Sequence, residues 1–163
     1  MTPRTVVLEI TRLEAAHLAG LLGQFAELVD GASTSDGDPA IGRLAPDAYD
    51  DAAEAREFRE LTEADLLDRR RDDAAAMLAT LSEASDIPED PEDPALLETV
   101  TIALDAPAAG AWLRTLAAVR LVLATRLGIT ESDDHDSADP RFGIYDWLGY
   151  RLDGLVNALD GGD

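Results

Sequence analysis

Arg70 and Arg120 are the residues whose type and position most favour binding chemistry, because each stands in an apolar stripe of a predicted helix. At roughly 100° per residue, Arg120 falls between Leu113 and Leu127 in the middle of such a stripe. A buried guanidinium needs acceptor partners, since an unpaired buried charge costs several kcal/mol. The positions of both arginines therefore require an explanation.

Two interpretations of this arginine pair remain open. Arg70 and Arg120 could hold an anionic ligand, because a guanidinium binds carboxylate or phosphate through two parallel hydrogen bonds. Alternatively, each could form an internal salt bridge with an acid such as Asp146 or Glu14. The aliphatic stem could also lie along the core with its charged end in water.

An acidic loop supplies a second candidate site. Asp133, Asp134 and Asp136 offer the hard oxygen ligands that Ca²⁺ or Mg²⁺ prefers. The segment lacks the glycine and the terminal glutamate of an EF-hand loop, so a solvated acidic loop is the alternative. We expect no cofactor.

No catalytic residue is predicted. Without cysteine, thiolate metal sites and cysteine nucleophiles are excluded, and only His17 and His135 could supply an imidazole. The sequence contains no Gly-rich phosphate loop, no nucleophile elbow and no helical zinc motif. With 34 acidic residues, carboxylate pairs arise by chance. The sequence therefore favours a non-enzymatic protein over an enzyme.

Four residues are candidates for an interface with another molecule. Gly20 and Gly23 lie on the small-residue side of the first predicted helix, where another backbone could approach closely. Trp147 and Tyr150 point away from the apolar stripe of the last helix. They form either a contact surface or a pair of aromatics covered by loops.

These candidates depend on a few elements for their positions. Alternating apolar residues predict strands at Val6–Ile10 and Val100–Leu104, which we expect to pair into one ribbon. A helix is predicted after each strand. Thr11 and Glu14 form a capping-box pattern before the first helix. Asp105 stands at the N-cap of the second helix, and Gly128 ends it.

The fold class that follows is mainly α: a single-domain bundle of about five helices with one short two-stranded β-ribbon, over residues 1–163. An acidic, proline-rich connector is expected inside it at 87–94. The principal helices are predicted at 12–29, 46–61, 62–82, 107–127 and 142–159, with Thr62 and Asp65 capping the third.

The charge balance excludes several classes of partner. The 34 acidic residues face 13 basic ones, all arginine, for a net charge of -21. Nucleic acids and anionic membranes are disfavoured, because both are bound mainly through lysine and arginine. No run reaches the ~18 apolar residues of a membrane span, so a cytoplasmic location is expected. The acidity fits either high-salt adaptation or a GC-rich genome.

Three groups of residues carry a resemblance to known proteins: Pro46–Tyr49 with Glu57–Glu63, Ala111–Arg114 with Arg120–Thr130, and Tyr145–Gly149. Over nearly the whole chain and in the same order, they resemble the actinobacterial proteins of the family called domain of unknown function 2017. The resemblance implies no activity and no catalytic residues. Genes of this family tend to lie near the gene for the Clp protease adaptor, so the resemblance implies an association with proteolysis control but no mechanism.

Three functions follow from these observations. The first is a non-enzymatic protein-interaction or regulatory protein that binds the Clp adaptor or a second copy of itself. The second is an enzyme or small-ligand binder that holds an anion between Arg70 and Arg120. The third, a transcriptional regulator as some members of the family are labelled, is disfavoured by the charge.

Overall fold

A short antiparallel ribbon joins the two halves of the chain. The computed structural model describes residues 5–30, 39–40, 52–129 and 142–160, with 52–64 as helical backbone. Strand β1 (Val6–Thr11) pairs with strand β2 (Thr99–Leu104), with Val6 opposite Leu104 and Thr11 opposite Thr99. The pairing predicted from the two alternating segments is confirmed.

Four α-helices make up most of the described chain. They are α1 (Arg12–Asp30), α2 (Ala52–Leu81), α3 (Ala106–Leu127) and α4 (Gly143–Asp160). A short 3₁₀-helix at Pro94–Leu97, capped by Asp93, precedes β2. The mainly α fold class is confirmed, although the described residues contain four long helices where about five were expected.

The difference in helix number arises at Thr62. Separate helices over 46–61 and 62–82 were expected, but α2 continues through Thr62 without a break. A Thr or Asp caps a helix only where the backbone before it leaves helical geometry. Inside a helix, Thr62 and Asp65 are simply neighbours three residues apart. The predicted boundary between two helices at this point is therefore wrong.

The helices pack in chain order. Helix α1 lies against α2, α2 against α3, and α3 against α4. The buried residues of α1 are Ala15, Leu18, Leu22, Phe25 and Val29. Trp112 of α3 is 1% exposed, and its indole N–H donates to the Thr80 hydroxyl of α2 over 2.8 Å.

Both ends of α3 carry residues that satisfy the terminal backbone groups. The Asp105 carboxylate accepts a hydrogen bond from the Ala108 amide at 2.9 Å. Gly128 adopts a left-handed conformation, with φ 79°, and its amide contacts the Ala124 and Thr125 carbonyls. Glycine occupies this conformation without the steric cost of a Cβ atom.

By length and composition, helix α3 is apolar enough to cross a membrane, although arginines interrupt its apolar residues. Its 22 residues include Arg114 and Arg120, and 44% of its most apolar window is buried inside the structure. A core helix of a soluble protein meets the same criteria, so α3 is weak evidence for a membrane span.

Candidate functional site

The N-terminus of α1 is held by a reciprocal capping box. The Thr11 hydroxyl lies 3.1 Å from the Glu14 amide, which donates to it. One oxygen of the Glu14 carboxylate, Oε1, accepts from the Thr11 amide at 3.1 Å and from the Thr11 hydroxyl at 3.0 Å. The capping box predicted from these two residues is confirmed.

The second oxygen of Glu14 connects α1 to α4. Its Oε2 atom accepts from the Trp147 indole N–H and from Arg151 Nη2, both at 2.9 Å. Arg151 Nη1 also donates to the Glu9 carbonyl of β1 at 2.9 Å. Glu14, Trp147 and Arg151 therefore form one cluster, called here the Glu14 cluster, that joins β1, α1 and α4.

These contacts keep Glu14 ionised. Burial by itself would raise the pKa of the carboxyl, because desolvation disfavours the charged form. The hydrogen bonds from Arg151, from the Thr11 amide, from Trp147 and from the Thr11 hydroxyl outweigh burial and lower the pKa to about 2. The carboxylate is thus fully committed to structural contacts near neutral pH.

A groove lies beside this cluster, between α1 and α4. This α1/α4 groove has a volume of about 710 Å³. Trp147 and Glu14 stand at its wall, and the other described residues of its lining carry no charge: Ala16, His17, Gly20, Leu21, Gln24, Gly143 and Ile144. The arrangement offers apolar contact and one fixed aromatic ring.

Gly20 and Gly23 face open space within the described part of the structure. A Cβ atom added at either position would meet nothing there within 4 Å. The close approach of another backbone, expected from these small residues, is therefore not made by the described segments of this chain. Of these two glycines, only Gly20 lines the groove. We therefore expect a second molecule to bind at Gly20.

Trp147 and Tyr150, the two candidate aromatics of α4, have different surroundings. Trp147 is half-buried, packs against the core and donates to Glu14, whereas Tyr150 is 72% exposed. The Arg151 guanidinium carbon lies 5.7 Å from the Trp147 ring and 5.9 Å from the Tyr150 ring. Arg151 was not singled out in the sequence, because its partners are contributed by distant segments.

Arg120 lies against α4. Its guanidinium carbon is 4.0 Å from the centroid of the Tyr145 ring, and its Nε atom donates to the Tyr145 carbonyl at 3.4 Å. A Cβ atom at Gly149 would lie 3.0 Å from Arg120 Nε, so the glycine makes room for the guanidinium. Of the acids proposed as its partner, Glu14 is bound by Arg151.

Arg70 lies on α2, and its Nε atom is buried without a hydrogen-bond partner among the described residues. Neighbouring arginines are paired: Arg71 Nη1 with Asp30 at 2.8 Å and Arg114 Nε with Asp73 at 2.9 Å. None of the contacts described for Arg120, all on α4, involves Arg70. Ligand binding by Arg70 and Arg120 stays a prediction.

The acidic loop of Asp133, Asp134 and Asp136 lies outside the described residues. Within 5–30, 39–40, 65–129 and 142–160, no group of three or more His, Cys, Asp or Glu side chains is placed to hold a metal ion. The described residues therefore do not test the prediction that this loop binds a metal ion. They also do not test the expectation that the protein carries no cofactor.

The comparison with protein families gives one match. The family described as domain of unknown function DUF2017 matches residues 1–159, and the chain belongs to this family. No curated protein and no solved structure matches the chain.

Proposed function

We propose that this member of the DUF2017 family is a non-enzymatic protein-interaction protein of the cytoplasm that binds its partner in the α1/α4 groove. One observation carries the proposal. Residues 15–26 of α1 contain no Asp, Glu, Lys or Arg, although the chain has a net charge of -21. Within this uncharged stretch, His17, Gly20 and Gln24 are exposed and line the groove.

The groove has the composition of a contact surface. Charged residues are depleted at the centre of protein interfaces, and aromatic residues are enriched there. Ile144 at the rim is 51% exposed, and Trp147 is fixed in the wall by its hydrogen bond to Glu14. An anchored aromatic loses little conformational freedom when a partner binds, which favours affinity.

The groove offers less support for catalysis. Glu14 is the acidic residue in its wall, and both oxygens of that carboxylate already accept two hydrogen bonds. His17 lines the groove without a described partner that would orient its ring for acid–base work. A partner protein, either the Clp adaptor or a second copy of this chain, is therefore the occupant we propose.

The test compares Gly20→Leu with Gly23→Leu. Both substitutions add the same side chain to α1 at positions with open space, and only Gly20 lines the groove. Titration with purified Clp adaptor is followed by tryptophan fluorescence, which reports on the half-buried Trp147 because Trp112 is fully buried. Self-association is measured separately by analytical ultracentrifugation.

We expect Gly20→Leu to weaken adaptor binding or self-association at least about tenfold, a loss of roughly 1.4 kcal/mol. Gly23→Leu should leave either affinity nearly unchanged. If both variants bind as tightly as the original chain, the groove is not the interface. If neither adaptor binding nor self-association occurs, the proposal fails for both named partners.

A second function has one observation in its favour, the buried and unpartnered Nε atom of Arg70. Inorganic phosphate is a suitable probe for an anion held by Arg70 and Arg120. Binding would raise the melting temperature of the protein, and Arg70→Met would abolish this rise. An unchanged melting temperature at high phosphate concentration, with chloride as the ionic-strength control, would exclude such a site.

A further inference from the structure

The outer edge of β1, the side that faces away from β2, is a second surface with its own chemistry. The described sheet has two strands, so each strand pairs along one side only. A free strand edge presents backbone N–H and C=O groups that can pair with another extended chain. The question is which of these groups on β1 remain available.

Three hydrogen bonds show which residues of β1 face outward. The Arg12 amide, just beyond the strand, donates to the Glu98 carbonyl on the β2 side at 3.0 Å. The Glu9 carbonyl instead binds Arg151, and the Thr11 amide binds Glu14. Because the direction alternates along a strand, Val7, Glu9 and Thr11 direct their backbone groups to the outer edge.

Part of this edge is already occupied. Arg151 donates a hydrogen bond to the Glu9 carbonyl, and the Thr11 amide donates one to the Glu14 carboxylate. The Val7 amide, the Val7 carbonyl and the Glu9 amide have no described hydrogen-bond partner. The Glu14 cluster therefore closes the C-terminal part of the edge and leaves a short pairing site centred on Val7.

A cleft of about 340 Å³ runs along this site, between β1 and α4. Val7, 61% exposed, and Tyr150, 72% exposed, are large apolar side chains on its two sides. Glu9 and Asp153 are exposed acids in its lining, and the charge of Arg151, which also lines it, is paired with Glu14. The cleft thus combines free backbone groups, two apolar contacts and negative charge.

We propose that the outer edge of β1 binds an extended, basic segment of a partner protein by strand addition. The free amides and carbonyl at Val7 and Glu9 can pair with a main chain in extended conformation. The net charge of -21 and the acids of the cleft favour lysine or arginine side chains. They also oppose a second copy of this acidic chain.

This surface is separate from the α1/α4 groove, so each of the two proposals can fail alone. The outer edge of β2 serves as an internal comparison, because Thr101 lies opposite Glu9 and by the same alternation faces outward. Among the described residues beside that edge are Arg12, Thr80 and Glu83, and no large apolar side chain there is exposed.

The probe is a short synthetic peptide of alternating valine and lysine, titrated into the ¹⁵N-labelled full chain. Backbone amide shifts and hydrogen exchange are recorded at each residue. We expect exchange at Val7 and Glu9 to slow at least about tenfold when the peptide is bound, because both amides gain a partner. The Thr101 amide should be unaffected.

Variants then separate the two edges. Val7→Pro removes one outward amide without breaking the ladder to β2, a position where proline is tolerated in edge strands. It should weaken peptide binding at least about tenfold, whereas Thr101→Pro should not. Circular dichroism checks that both variants fold. A peptide N-methylated at every residue cannot pair through either of its edges, so it tests the same bonds without changing the protein and should not bind.

Several results would overturn the proposal. Absence of binding at millimolar peptide would do so, as would binding that leaves Val7 and Glu9 exchange unchanged. Equal weakening by the two proline variants would point to general destabilisation of the ribbon. Equal binding of a peptide with glutamate in place of lysine would refute the role of charge. Binding of the N-methylated peptide would exclude strand addition.

Discussion

At the scale of single residues, Glu14 is the side chain with the most structural connections in the described chain. Its two oxygens receive four hydrogen bonds from Thr11, Trp147 and Arg151. The four donors are partly buried N–H and O–H groups, which would lose hydration without compensation if the carboxylate were absent. The carboxylate therefore stabilises the start of α1 and the position of α4 together.

The lowered pKa of Glu14 predicts that the contribution of this residue to stability depends on pH. Because its pKa is about 2 in the folded state and 4.5 in the reference state, the contribution is present above pH 4.5 and is lost as the pH falls toward 2. Glu14→Gln should lower the free energy of unfolding by about 1–2 kcal/mol at pH 7, a value reduced for solvent screening. Urea unfolding at several pH values measures the difference.

The sign of this effect is specific. The difference in the free energy of unfolding between the original chain and Glu14→Gln should become smaller as the pH falls from 4.5 to 2. The other acids titrate equally in both proteins and cancel in the comparison. A gap that stays constant over this range would show that the charge of Glu14 is not what the four donors require.

A second single-residue effect on stability is expected at Gly149. Gly149→Ala places a methyl group against the Arg120 guanidinium, which is held over the Tyr145 ring. We expect a loss of about 1–3 kcal/mol in the free energy of unfolding, as for other overpacked sites. Thermal or urea unfolding measures it.

Gly154→Ala is the matched control on the same helix. A Cβ atom there meets no described atom within 4 Å, so the substitution should be neutral or stabilising by up to about 1 kcal/mol through helix propensity. Equal effects at both glycines would show that Arg120 moves aside freely.

At the scale of the elements, the ends of the helices are fixed by local sequence. Asp105 caps the start of α3, and Gly128 ends it in a left-handed conformation. Both positions were readable in the sequence, because a cap depends on a few consecutive residues. The alternation of the two strands was equally local, and so was the expectation that they pair.

The substitution Gly128→Ala measures how much the left-handed conformation at this helix end contributes to the free energy of unfolding. An L-residue at φ 79° carries a steric cost, and we expect a loss of about 1–2 kcal/mol in the free energy of unfolding. Gly128→Asn should cost less, since asparagine tolerates the left-handed conformation. Urea unfolding distinguishes the two, and the reverse order would contradict the assigned conformation.

Features that depend on distant segments were not readable in the same way. The pattern at Thr62 and Asp65 fits either a cap or a helix interior, and only the path of the preceding backbone decides. Glu14 was predicted as a cap, but its partner Arg151 lies 137 residues away and depends on the packing of α4. The groove beside Trp147 arises from the same packing.

At the scale of the whole molecule, charge is the dominant feature. With a net charge of -21, self-repulsion opposes the compact state, and dissolved salt screens it. The exposed ion pairs, such as Arg71 with Asp30, contribute little each and lose little to screening.

We therefore predict that the melting temperature rises as sodium chloride increases from ~10 mM to ~1 M, over which the Debye length falls from about 30 Å to about 3 Å. Differential scanning calorimetry at pH 7 measures it. Repeating the series near pH 4.1, the isoelectric point, should give a much smaller rise. A falling melting temperature would mean that ion pairs outweigh repulsion.

The register of the ribbon has a consequence for synthesis of the chain on the ribosome. Strand β1 is made first, yet its partner β2 follows about 90 residues later. Because the ribosome adds about 5–20 residues per second, β2 is synthesised several seconds after β1. During that interval both edges of β1 are unpaired, while α1 and α2 can already pack. The ribbon therefore forms only after α1 and α2 have been synthesised, and α3 and α4 are added after it.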